Sequence, residues 1–263
     1  MPSYVVTGAS KGIGFEFVNQ LSADSGNTVF AIVRRKATAT QLSNLLRKNV
    51  TILEADVTDA KALKLAAAEV SKATAGKLDY LINNAGKINH PGFTLDGFPS
   101  VEALEDDLLD NFKGNTISAI HSINAFLPLL RKGSAKKVLV LSTALGDLDV
   151  TTQGGSFGEV SYSIAKAALN MVVAKYATQY KDEGFVFLAI SPGLVATSMT
   201  EGFNNAAGEL KLVGSMFTKL APPDFKGPIT PEESVNKCLE VFNRWTVEET
   251  GAFVSHHGNK QWL

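Results

Sequence analysis

The sequence predicts an α/β fold: a single-domain, doubly wound parallel sheet of about seven strands with helices on both faces, spanning 1–263. Two observations carry this. Short apolar runs alternate with segments of helical periodicity long enough for right-handed crossovers. Glycine-, asparagine- or hydroxyl-rich residues follow several of those runs, at the edge where such sheets bind ligands. With 263 residues and 45% hydrophobic content, the chain can bury a large core in one domain.

Ser3 to Thr7 is the first strand, followed by Gly8-Ala9-Ser10-Lys11-Gly12-Ile13-Gly14 and then by Ile13, Phe17 and Leu21 at helical spacing. A glycine-rich turn between strand and helix lets the backbone approach a pyrophosphate, and the helix N-terminus turns free N–H groups towards it. An ordinary glycine-rich connection is the competing reading. Thr28 to Val33 is the second strand, ending where the residue that reads an adenosine ribose is expected, roughly 20 residues past the glycines. Arg34 and Arg35 stand there and no acid does. Arg34, with Lys11, suits a 2′-phosphate, so NADP(H) is expected over NAD(H). Solvated arginines are the plainer alternative.

Val50 to Glu54 is the third strand and leads into Asp56-Val57; a helix over Thr58 to Thr74 returns the chain to a fourth strand at Leu78 to Ile82. Asn83-Asn84-Ala85-Gly86 closes that strand at the ligand edge, so Asn84, Ala85 and Gly86 join the cofactor candidates. Lys87 to Ser100 reads as loop. Val101 to Arg131 reads as one long helix whose acidic run, Asp110 included, is a solvated face. Asn115 sits within it, and a poor helix former there suggests a polar task.

Lys137 to Leu141 is strand five and ends in Ser142-Thr143-Ala144-Leu145-Gly146, two hydroxyls at the ligand edge. Asp147 to Glu159 reads as loop and Val160 to Tyr180 as helix. That helix carries Tyr162 and Lys166, which share a face at i and i+4. A lysine charge about 4 Å from the phenol, at an effective dielectric near 20, favours phenolate by about 4 kcal/mol, about three pKa units. Such a pair is an acid/base device, with Tyr162 expected near neutrality. Phe185 to Ser191 is strand six, broken by Pro192-Gly193, with Val195-Ala196-Thr197 continuing along the edge. Residues 198–230 lack periodicity and read as a substrate lid, with Met199, Phe203, Leu212, Met216 and Phe217 over an apolar pocket; a subunit interface is the competing use. Pro231 to Arg244 is a helix capped by Thr230, and Ala252 to Ser255 a last strand.

Composition narrows the partners. A net charge of −1 and a pI near 6.4 give no basic field for nucleic acid and no polybasic membrane anchor. No apolar run reaches the roughly 18 residues of a span, the lone Cys238 allows no disulfide within the chain, and the N-terminus lacks a signal-peptide pattern. A cytoplasmic protein is expected. His256-His257 cannot alone complete a tetrahedral metal site, so no catalytic metal is expected.

Taken together, T-G-x-x-x-G-x-G at Thr7 to Gly14, N-N-A-G at Asn83 to Gly86, Asn115, Y-x-x-x-K at Tyr162 to Lys166, and P-G followed by Thr197 resemble the short-chain dehydrogenase/reductase family, in family order and across essentially the whole chain. The layout, a Rossmann-type sheet, is similar to the branch of norsolorinic acid ketoreductase and sniffer-type carbonyl reductases, and Lys11 with Arg34 resembles its NADP-preferring members. The resemblance implies hydride transfer between NADPH and a small apolar ketone or aldehyde, or the corresponding alcohol. It makes Tyr162 the proton donor and has Lys166 lower its pKa and bind the nicotinamide ribose. Asn115 would hold a relay water, and a hydroxyl on strand five would orient the carbonyl oxygen. It implies cofactor contacts at Gly8, Ser10, Lys11, Gly12, Ile13, Gly14, Arg34, Arg35, Asp56, Val57, Asn84, Ala85, Gly86, Pro192, Gly193, Val195 and Thr197. Where the family commonly has S-S-x-x-G, this chain has Ser142-Thr143, and the gap to Tyr162 is longer than usual. Thr143 matches the acting serine in register. A catalytically silent dinucleotide-binding regulator and a dehydratase or epimerase of the same fold are the alternatives, and a homo-oligomer, dimer or tetramer, is left open.

Overall fold

The computed structural model describes residues 1–89, 93–155, 158–198 and 225–263. Its strands are β1 (Ser3–Thr7), β2 (Thr28–Val33), β3 (Val50–Glu54), β4 (Tyr80–Asn83), β5 (Lys137–Leu141), β6 (Val186–Ser191) and β7 (Phe253–Ser255). They form one 7-stranded sheet in the order β3-β2-β1-β4-β5-β6-β7, parallel throughout. The order reverses at β1 and β4, so the crevice at their C-terminal ends is the switch point.

Each central strand is apolar on both sides because both faces are covered. Val5, Leu81, Val138 and Phe187 face one core; Val6, Ile82, Leu139 and Leu188, each one residue on, face the other. The first core is closed by α3 (Ala60–Ala73), α5 (Ser118–Leu130) and α7 (Val160–Tyr180), through Leu63, Ile123, Phe126 and Leu169. The second is closed by α1 (Gly12–Leu21) and by α8 (Pro231–Arg244), through Phe17, Val18, Val235 and Phe242. Each such buried side chain contributes roughly 1.5–3 kcal/mol. The short α2 (Thr40–Asn44) lies between β2 and β3. No helix among the described residues is long and apolar enough to cross a membrane.

β4 begins at Tyr80 and takes in Asn83, where the sequence places it at Leu78 to Ile82, and two elements differ in kind from the sequence reading. The helix expected over Val101 to Arg131 is α4 (Val101–Phe112), a π turn over Lys113–Ile117, and α5. Gly114 and Asn115 are weak helix formers, and π turns of this kind cluster at functional sites. The stretch Asp147 to Glu159, read as loop, contains α6 (Leu148–Gly154), started by the Asp147 carboxylate accepting from Asp149 N and Val150 N and ended by Gly155 at φ 67°. The lid expected at 198–230 lies, apart from Ser198 and 225–230, outside the described residues, as do Met199, Phe203, Leu212, Met216 and Phe217.

Candidate active site

At the switch point lies a cleft of about 970 Å³, and the ends of β1, β2, β3, β4, β5 and β6 with the loops that leave them line it. Its floor is the turn from Gly8 to Gly14. Gly8 has φ +66°, and a Cβ there would come 2.7 Å from the Ala85 Cα; a Cβ on Gly14 would overlap the Gly8 carbonyl oxygen and the Asn84 amide. The turn is therefore bare backbone pressed against N-N-A-G, locked by Asn84 Nδ2 donating to Thr7 O and Gly8 O, both at 3.1 Å. No side chain caps the first turn of α1, whereas α3 is capped by Asp59 and α8 by Thr230. Free N–H groups thus face the cleft from a positive helix end, the arrangement that holds a pyrophosphate. This cradle fits a dinucleotide.

At the outer end of the cleft stand Lys11 and Arg34, with Lys11 Nζ donating to Ser198 Oγ at 2.9 Å. Burial alone would raise the Asp56 carboxyl. Hydrogen bonds from Thr58 N (2.8 Å) and Oγ1 (2.7 Å), with the charges of Arg34 and Lys113, outweigh it and hold Asp56 below its usual range. Ser10, Gly12, Ile13, Val57, Gly86, Pro192 and Thr197 also line the cleft. Arg35, Gly193 and Val195 do not: Arg35 is exposed after β2, Val195 is buried in a bridge to Ile229, and a Cβ on Gly193 would meet the His256 ring at 2.8 Å. Asp110, read as part of a solvated face, is on the cleft wall instead, bonded to Lys87 and to Asn89 Nδ2 (3.0 Å).

At the inner end, α7 presents Tyr162 and Lys166 to the cleft. Lys166 is 4% exposed, and its Nζ donates to Leu141 O at 2.8 Å and stands 5.7 Å from the Tyr162 ring centre. Burial lowers the amine to about 8. Tyr162 is not brought towards neutrality. Burial pushes its phenol well above the usual range and the Glu159 carboxylate adds to this, because each disfavours a phenolate. The lysine charge that the spacing assigned to the phenol is directed at a strand-end carbonyl.

Asn115 is fully buried in the π turn, and both ends of its amide are bonded. Oδ1 accepts from Lys87 N at 3.0 Å, while Nδ2 donates to Lys87 O at 2.9 Å and Asn111 O at 3.1 Å. Thr116 Oγ1 donates to Ala165 O at 2.8 Å, fastening this turn to α7 beside Lys166. At the end of β5 the two hydroxyls part company. Ser142 is buried, lines the cleft and donates to Asn170 Oδ1 at 2.6 Å; Thr143 is half-buried, is not among the residues that line the cleft, and its Oγ1 accepts from Leu145 N at 3.3 Å.

Residues 3–208 match the short chain dehydrogenase family. This chain belongs to that family. The short chain dehydrogenase virK of Hypocrea virens is 44% identical over 278 aligned positions, covering 100% of both chains. Among solved structures, the NADPH-bound carbonyl reductase from chicken fatty liver superposes with a TM-score of 0.79 at 29% identity, covering 98% of each chain. The carbonyl reductase Sniffer of D. melanogaster superposes at 0.79 with 23% identity over 98% of each, a likeness of fold. As a short-chain dehydrogenase the chain is an oxidoreductase, and the family's nicotinamide dinucleotide fits the glycine cradle and the uncapped start of α1. In this dehydrogenase Asn170, which the sequence reading passed over, joins the site through Ser142; an asparagine four residues after Lys166 on the same helix face is its only trace in the sequence.

Proposed function

We propose that this protein is an NADPH-dependent reductase of a small or medium apolar ketone or aldehyde, with Tyr162 as proton donor. The observation that carries the reading is the inner end of the cleft, where the Tyr162 phenol stands with the buried Lys166 and with Ser142 at the end of β5, the residue before Thr143. When bound, the nicotinamide supplies the hydride that reaches the carbonyl carbon. Tyr162 donates its proton to the carbonyl oxygen as negative charge develops there, completing the alcohol. Thr143 Oγ1 uses a lone pair on Leu145 N, so its own proton is available to the same oxygen. Lys166, anchored on Leu141 O and lining the cleft beside the Tyr162 ring, is placed to bind the nicotinamide ribose. Asn115 would hold the water through which a proton returns to Tyr162, and its amide, bonded to Lys87 and Asn111, fixes the π turn against the loop after β4.

Lys11 and Arg34, with no acid after β2, support NADP(H) over NAD(H) through a 2′-phosphate. The resemblance to an NADPH-bound carbonyl reductase points the same way. Asp56, held ionised, is an acceptor for donors of the adenosine half. A panel of ketones and aldehydes, followed by NADPH absorbance with product analysis, tests the reading. Alcohol formed in step with NADPH loss is expected. Tight NADPH binding with no reduction of any carbonyl, or a product of dehydration or epimerisation, would overturn it.

A further inference from the structure

We propose that Asn170 is a positioning residue, which ties both ends of the Thr143 turn to α7 and thereby sets the hydroxyl that meets the substrate oxygen. This rests on the reductase reading above. Asn170 lies four residues beyond Lys166 and eight beyond Tyr162, so the three share a face of α7. Its Oδ1 accepts from Ser142 Oγ at 2.6 Å, and its Nδ2 donates to Gly146 O at 3.2 Å. Only Thr143, Ala144 and Leu145 lie between those anchors. Lys166 Nζ adds a tie one residue upstream, at Leu141 O, 2.8 Å. On the β6 side, Ser142 N donates to Ile190 O at 2.7 Å and Ala144 N to Ser191 Oγ at 3.1 Å. A Cβ on Gly146 would stand 2.9 Å from the Lys166 carbonyl carbon and 3.0 Å from Ala167 N, so the turn lies flush on the helix backbone.

Two consequences follow for the chemistry. The Ser142 hydroxyl spends its only proton on Asn170, which removes it from competition for the substrate oxygen and leaves Thr143 as the donor. The second concerns distance. Thr143 and Tyr162 must converge on one oxygen, yet the covalent path between them runs out through α6. Asn170 bypasses that path with a direct link between turn and helix.

Asn170→Ala should lower kcat, counted per dinucleotide-binding site, by about tenfold to a hundredfold, the scale of a misplacement near 1 Å. Dinucleotide affinity should stay within about twofold, because the cradle is untouched. The same substitution in a Thr143→Ala background should lower kcat no further, since no hydroxyl remains to be placed. An equal loss in both backgrounds would mark a packing role and overturn the proposal. A second readout does not need turnover: amide exchange at Ala144 to Gly146 should quicken by about tenfold in Asn170→Ala while α1 is unaffected. Unchanged exchange there would also overturn the proposal. If the wild type reduced no carbonyl while exchange quickened as expected, the reductase reading would fail and the tie would stand.

Discussion

Replacing Lys166 by methionine should remove activity and leave stability nearly unchanged. Burial holds the amine at about 8 against an ordinary 10.5. At about 1.4 kcal/mol per pKa unit, keeping it charged at pH 7 destabilises the fold by about 3 kcal/mol. Methionine removes that penalty but takes the 2.8 Å donor from Leu141 O, which costs about 1–3 kcal/mol. The two effects nearly cancel, so Lys166→Met should lie within about 2 kcal/mol of the wild type at pH 7. The pH dependence separates them. Because the folded value lies below the unfolded one, the unfolded chain binds more protons between about 8 and 10.5, and this contribution makes the wild type more stable as pH rises through that window. Tyr4 and Tyr176, pushed up to about 12, act the other way above the ordinary tyrosine value, but equally in both proteins. Urea unfolding at pH 7 and pH 10 should therefore show the wild type gaining about 2–3 kcal/mol on the variant. A difference that does not change with pH, or a variant destabilised by more than about 4 kcal/mol at pH 7, would refute the reasoning.

Three further outcomes are expected. Thr143→Ala should lower kcat by about a hundredfold, Thr143→Ser should keep most activity, and Ser142→Ala should fall less than Thr143→Ala; steady-state kinetics on the three would show a wrong assignment if the serine change proved the more severe. Arg34→Asp should abolish or reverse a preference for NADPH on the order of a hundredfold, since each charge-assisted bond is worth about 1.5–3 kcal/mol; equal affinity of the unmodified protein for NADH and NADPH in titrations would contradict this. Gly14→Ala puts a methyl onto the Gly8 carbonyl and the Asn84 amide, so it should destabilise by about 1–3 kcal/mol and weaken dinucleotide binding; a thermal melt and a binding titration matching the wild type would contradict the cradle.

The strands were legible because a sheet covered on both faces needs continuous apolar runs: the bounds read for β1, β2, β3 and β5 are those observed. The glycine turn and N-N-A-G were legible because close backbone contact admits no other residue there, as Gly14 against Gly8 O and Asn84 shows. What escaped depends on burial and long-range geometry. Spacing put Lys166 beside Tyr162 but could not tell that its charge is given to Leu141 O, nor that burial and Glu159 raise the phenol. Asp110 reads as solvated until the Lys87 loop folds across it. Asn170 bonds residues 28 and 24 positions away, a link no local pattern carries. α6 carried its own signal, an Asp147 cap and a Gly155 stop, hidden by a seven-residue length that reads as loop.

The central claim is that the Tyr162 phenol delivers the proton in a reduction. Tyr162→Phe keeps the ring against Lys166 and deletes only the hydroxyl, so single-turnover reduction of a carbonyl that the wild type accepts, run beside an NADPH fluorescence titration, isolates the step. Turnover lost by about a hundredfold or more with NADPH affinity largely kept is the result expected. Near-full turnover in Tyr162→Phe would show that another group delivers the proton.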